Sequence, residues 1–237
     1  MLETLALLLF AHVLADFLLQ TDRMVASKHR LPGLAAHGAV VLTTLVLTTG
    51  SLSSGLFALT GAHLGIDLIK QGSGRRGPGA FLWDQALHLA SLALLAMAEP
   101  GLWASGLWAP APALPGLALV LAGAIAATRA GGYFVALLIA PWMGKVAQGL
   151  SGAGRMIGLL ERSVIFVLIL TGHPEGVGFL IAAKSILRFS ETREDRLVSE
   201  YVIIGTLASF LWAILCAEAV LIGLSALPPL GISRPTS

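Results

Sequence analysis

Eight apolar stretches follow one another along the 237-residue chain, at 2–21, 34–49, 52–71, 81–98, 114–139, 156–171, 177–189 and 199–224, with short junctions between them. A helix needs about 20 residues to cross the hydrocarbon core of a bilayer, and a helix satisfies its own backbone there. The pattern therefore predicts an all-α, polytopic transmembrane bundle of about eight spans. Composition agrees: 56% of residues are hydrophobic, 12% are charged and the mean hydropathy is +0.85, outside the range of an ordinary soluble domain. The first stretch opens with Glu3 and carries His12 and Asp16 mid-run, which reads as a retained helix rather than a cleaved signal.

Basic residues mark every second junction: Arg23, Lys28 and Arg30, then Lys70, Arg75 and Arg76, then Lys145 and Arg155, then Arg188, Arg193 and Arg196. By the positive-inside rule these junctions are cytoplasmic, so both termini are expected on the outer side. The intervening junctions lack Lys and Arg, and Trp103 and Trp108 suit an outer interfacial belt. The formal charge of +2 is thus topological, and no nucleic-acid partner is expected; the partner is the lipid bilayer. A single cysteine, Cys216, excludes an intramolecular disulfide and a cysteine-based metal site.

The most informative polar pattern is written twice. His12, Asp16 and Gln20 recur 51 residues later as His63, Asp67 and Gln71, and the same offset carries His37 to His88. Residues four apart share a helix face, so each set forms a polar stripe. One full hairpin separates the two copies, which predicts a parallel two-hairpin repeat in residues 1–98 whose stripes face each other; residues 99–237 are expected to form a C-terminal four-helix unit, the whole making one compact membrane domain. At about 1.5 Å rise per residue, Asp16, Asp67, His37 and His88 all come to one level near the cytoplasmic boundary.

Imidazole and carboxylate ligands suit a divalent zinc, manganese or iron ion, so His12, Asp16, His37, His63, Asp67 and His88 are candidate ligands for one or two ions. Asp84 is a candidate catalytic base or further ligand, and Gln20, Gln71 and Gln85 are placed to orient a substrate. In the second half, Arg155, Arg162, Lys184 and Arg188 are candidates to receive an anionic lipid head group. Polar stripes of this kind also serve simply to hold helices together, and the same basic residues also occur as ion pairs or snorkelling side chains.

The runs His12-Val-Leu-Ala-Asp16-Phe-Leu-Leu-Gln20-Thr-Asp22, Asp84-Gln85-Ala-Leu-His88 and Gly178-Phe-Leu-Ile-Ala-Ala-Lys184-Ser-Ile-Leu-Arg188-Phe189 resemble the bacterial membrane family known as domain of unknown function 3307. The resemblance spans most of the chain and implies an integral protein of the bacterial inner membrane, with no activity to carry over. The residues themselves point to a metal-dependent membrane hydrolase acting on an anionic lipid or lipid-linked substrate at the cytoplasmic leaflet. An ion- or proton-coupled transporter and a noncatalytic scaffold are the alternatives. Spans two and four turn almost wholly apolar beyond His37 and His88, which argues against a through-route for ions.

Overall fold

The computed structural model describes residues 1–28, 30–143, 152–189 and 196–230; His29, Lys145 and Arg193 lie outside the described residues. Those described form helices and turns with no strand. The helices are α1 (Leu2–Leu14, continued by a π turn at Ala15–Leu19), α2 (Asp22–Ser27), α3 (Leu31–Thr49), α4 (Ser54–Ser73) and α5 (Pro78–Ala98). They continue as α6 (Leu114–Ile125), a π turn (Ala126–Ala130), α7 (Gly131–Met143), α8 (Ala153–Leu170), α9 (Glu175–Phe189) and α10 (Arg196–Leu224). Each expected apolar stretch coincides with a helix to within about a turn. Among the described residues, five helical stretches are long and apolar enough to cross a membrane: Leu2–Leu19, Leu31–Thr49, Pro78–Ala98, Leu114–Trp142 and Glu200–Leu224.

Two compact units are distinguished along the chain. The first comprises Met1–Ile125 and Gly223–Leu230. α6 joins it because its buried face, Gly116, Ala118, Ala122 and Gly123, is made of small residues, so its backbone approaches α1 closely. Leu8, Ala11, Val41, Leu45, Leu56 and Leu92 fill an apolar core among α1, α3, α4 and α5. Two buried threonines in this half are satisfied locally: Thr44 donates to the Val40 carbonyl at 3.0 Å and Thr60 to the Leu56 carbonyl at 2.8 Å. Trp103, expected at an interface, is instead 5% exposed and packs with Leu7 and Ala118, because the turns following α5 fold back onto α1 through the Trp103 amide and the Thr4 hydroxyl.

At the opposite end of the same helices the chain is polar. α1 ends in the π turn, and Gln20 follows in an extended conformation before Thr21 caps α2 by accepting from the Met24 amide at 3.3 Å. α2 then lies against the start of α3, where a Cβ at Gly33 would collide with the Ser27 backbone. That close approach carries Lys28 to the polar end.

The second unit, Ala126–Ile222, is organised around a buried cation. A π turn leaves backbone carbonyls without their usual partners, and here side chains supply donors. Arg162 donates from Nε and Nη2 to the Thr128 carbonyl at 3.2 and 3.0 Å, and Trp212 Nε1 donates to the Ala126 carbonyl at 2.9 Å. Gly131 and Gly132, which the sequence marks as a kink or close-packing site, make room for this arrangement. A Cβ on Gly131 would lie 3.1 Å from Arg162 Cδ and press on the Trp212 ring, and one on Gly132 would lie 2.9 Å from Arg162 Nη2.

Candidate metal centre

The polar end of the first unit gathers four helices. α1 contributes His12 and Asp16, α3 His37, α4 His63 and Asp67, and α5 Asp84, Gln85 and His88. All four imidazoles are buried, His37 completely, as are Asp67 and Asp84 at 5% exposure. The rings form a contiguous cluster: the centroids of His63 and His88 are 4.3 Å apart, those of His37 and His63 5.1 Å, and those of His12 and His88 5.1 Å in a stacked pair.

Hydrogen bonds fix which ring nitrogens carry protons. His88 Nδ1 lies 2.9 Å from the Asp84 backbone carbonyl, an acceptor only, so Nδ1 holds the proton and the neutral ring leaves a lone pair on Nε2. His12 Nε2 donates to the Gln85 side-chain oxygen at 3.2 Å, which leaves the lone pair on Nδ1. Both of these bare nitrogens, and one oxygen each of Asp16 and Asp84, are buried without a hydrogen-bond partner. Buried polar atoms are seldom left unsatisfied, and a ring nitrogen whose opposite N–H is held by a carbonyl oxygen is the usual state of a metal-ligating histidine.

Spacing is equally specific. His37 Nε2 and His63 Nε2 are 3.0 Å apart; Asp16 Oδ1 lies 3.5 and 3.2 Å from them, and Asp67 Oδ2 3.3 and 3.9 Å. Ligands at 2.0–2.1 Å around a tetrahedral ion stand roughly 3.3 Å from one another. Three overlapping sets have donor atoms all within 4.8 Å: His12, Asp16 and His63; His37, His63 and Asp67; and Asp67, Asp84 and His88. His12 and His88, the residues that carry the two bare nitrogens, belong to the outer sets.

Charge is incompletely balanced. Lys28 pairs with Asp67 and Lys70 with Asp84, each at 2.7 Å, while Asp16 faces only imidazoles among the described residues. Three carboxylates against two ammonium groups leave one negative charge when the imidazoles are neutral. A buried charge of that kind calls for a cation. Sequence reasoning assigned Lys28 and Lys70 to topology alone; helix spacing points Lys70 toward Asp67, whereas the fold pairs Lys70 with Asp84 and Lys28 with Asp67.

The glutamines divide. Gln20 reaches His37, its amide nitrogen 3.1 Å from Nδ1, and Gln85 holds His12. Gln71, expected to match Gln20, is exposed on the helix surface. The reason is local: the π turn and the extended Gln20 swing the first copy inward, whereas α4 runs regularly on to Ser73. Arg155, Arg162 and Lys184 belong to the second unit, where Arg155 is exposed, Lys184 is paired to Glu161 at 2.7 Å and Arg162 is held by Thr128 and Ser209. The latter two are therefore already engaged with protein. The side chain of Arg188 lies outside the described residues.

Residues 4–105 match the family described as Protein of unknown function (DUF3307). The matched residues lie within the first unit. The match encloses every histidine and aspartate of the cluster and stops before the Gly178–Phe189 run, so the family likeness rests on the helices that build the site. No curated protein and no solved structure matches the chain.

Proposed function

We propose that the first unit is the divalent-metal centre of a membrane hydrolase. The observation that carries this reading is the pair of buried, proton-free ring nitrogens, His12 Nδ1 and His88 Nε2, in a cluster that also holds an unpartnered oxygen of Asp16 and of Asp84. His12, Asp16 and His63 would hold one ion and Asp67, Asp84 and His88 a second, with His37 between them. Such ions would acidify a bound water and polarise the bond to be cleaved. Gln20, Gln85 and the Asp84 carbonyl orient the imidazoles, and Lys28 and Lys70 hold the carboxylates until metal competes for them.

The substrate that suits this location is an anionic lipid or lipid-linked compound. The cluster sits at the basic ends of apolar helices, where Arg75 is exposed and Lys28 and Lys70 would be released toward an acidic head group once metal takes their carboxylates. On this reading the chain crosses a bacterial inner membrane eight times, the three passes beyond the five apolar ones being α4, α8 and α9. The first two hairpins form a parallel repeat, and both termini face outward. The apolar far half of the first unit favours hydrolysis at one leaflet over transport: its core is hydrocarbon, and the buried Thr44 and Thr60 bond within their own helices.

Elemental analysis of protein purified without chelator tests the metal, and release of head group from anionic lipids tests the reaction. About one to two zinc, manganese or iron ions per chain are expected, with both metal and hydrolysis lost in an Asp16→Asn, Asp67→Asn double variant. Ion flux in proteoliposomes without hydrolysis would replace this reading with a transporter. Full function in the double variant would reduce the cluster to a structural one.

A further inference from the structure

The second unit encloses a cavity of about 470 Å³, within the size range of small-molecule sites. Its charged lining is one-sided. Lys184 is neutralised by Glu161, but Arg129, Arg155 and Arg162 also line it, and Arg129 and Arg155 make no ion pair among the described residues. Arg162 is 4% exposed and donates three of its five N–H groups, to the Thr128 carbonyl and the Ser209 hydroxyl, which leaves two without an acceptor among the described residues. A buried guanidinium whose fixed partners are all neutral keeps its full charge beside the cavity. Gly132 and Gly158 line the same space, and a Cβ on either would come within about 3 Å of that guanidinium, so the cavity wall is built around it.

The remainder of the wall is hydrocarbon: Val135 and Ile139 from α7, Ile157 and Leu159 from α8, and Val202 from α10. We infer that this cavity binds an anionic amphiphile, a lipid phosphomonoester whose head group meets the three arginines while its chain lies against α7, α8 and α10. Charge complementarity selects the anion, and the apolar wall selects a lipid over a free oxyanion. The inference uses residues of the second unit only and stands whether or not the first unit holds metal.

Native mass spectrometry of the full chain in nonionic detergent, titrated with dioctanoyl phosphatidate, tests it. One bound phosphatidate is expected, with dioctanoylglycerol and dioctanoyl phosphatidylcholine at least tenfold weaker. Inorganic phosphate should compete poorly. Arg129→Ala and Arg155→Ala, both at exposed positions, should each weaken binding about fivefold. Gly205→Leu should block it, since a side chain there grows toward Ile139 and Val135. Equal binding of the neutral analogue, competition by phosphate as strong as by lipid, or affinity unchanged in both the arginine variants and the filled cavity would each overturn the assignment.

Discussion

At the scale of single residues, the cluster is defined by where protons sit. Gln20 presents its amide nitrogen to His37 Nδ1, which keeps the ring proton on Nε2 and points it at His63. Turning that amide so its oxygen accepts from Nδ1–H would free Nε2 to coordinate, so Gln20 acts as a tautomer selector. Gln20→Ala is expected to lower metal affinity by about 10–100-fold with little loss of fold, measured by competition against a chromogenic chelator. Lys28→Met separates the two roles of its ammonium group. Without metal, Asp67 is left buried and unpaired and the protein loses about 3–5 kcal/mol, whereas metal affinity rises because nothing competes for the carboxylate. Thermal unfolding with and without added zinc reads both effects; a variant that loses stability and metal together would place Lys28 outside this competition.

At the scale of elements, backbone irregularities decide what reaches the sites. The π turn at Ala15–Leu19 ends α1 and lets Gln20 turn inward, and the glycine at 33 lets α2 dock so that Lys28 meets Asp67. Gly33→Ala should push α2 away and expose Lys28, raising its labelling by an amine reagent with a modest change in stability. The π turn at Ala126–Ala130 plays the equivalent part in the second unit. Gly131→Ala would drive a methyl into Trp212, which is stacked on Phe134 with ring centroids 4.8 Å apart, and should cost about 1–3 kcal/mol. A shift in tryptophan emission together with a lowered unfolding midpoint would report it. The helices were legible in advance because apolar length sets them. The π turns were not; at Ala126–Ala130 the freed carbonyls are met by Arg162 and Trp212, partners that no linear spacing records.

At the scale of the whole molecule, the arrangement of passes carries a direct test. In a Cys216→Ser background, Ser105→Cys should react with an impermeant maleimide added to intact cells, and Arg75→Cys only after permeabilisation. The reverse pattern would invert the orientation and move the cluster to the other leaflet. Within the first unit, α6 brings a small-residue face to α1 and the end of α10 brings Gly223 against Leu119.

The sequence by itself determined that the chain is helical, which segments are apolar enough to form its long helices, and that histidines and acids recur at helix spacing toward one end of the first four. Those properties depend on local hydropathy and on 3.6-residue periodicity, which a linear chain displays directly. Only the tertiary structure decided that Gln20 enters the cluster while Gln71 stays outside, that Lys28 and Lys70 answer two of its three acids, and that Arg162 is enclosed by glycines beside a cavity. Each of these depends on distances between residues far apart in the chain, set by how closely particular helices can approach.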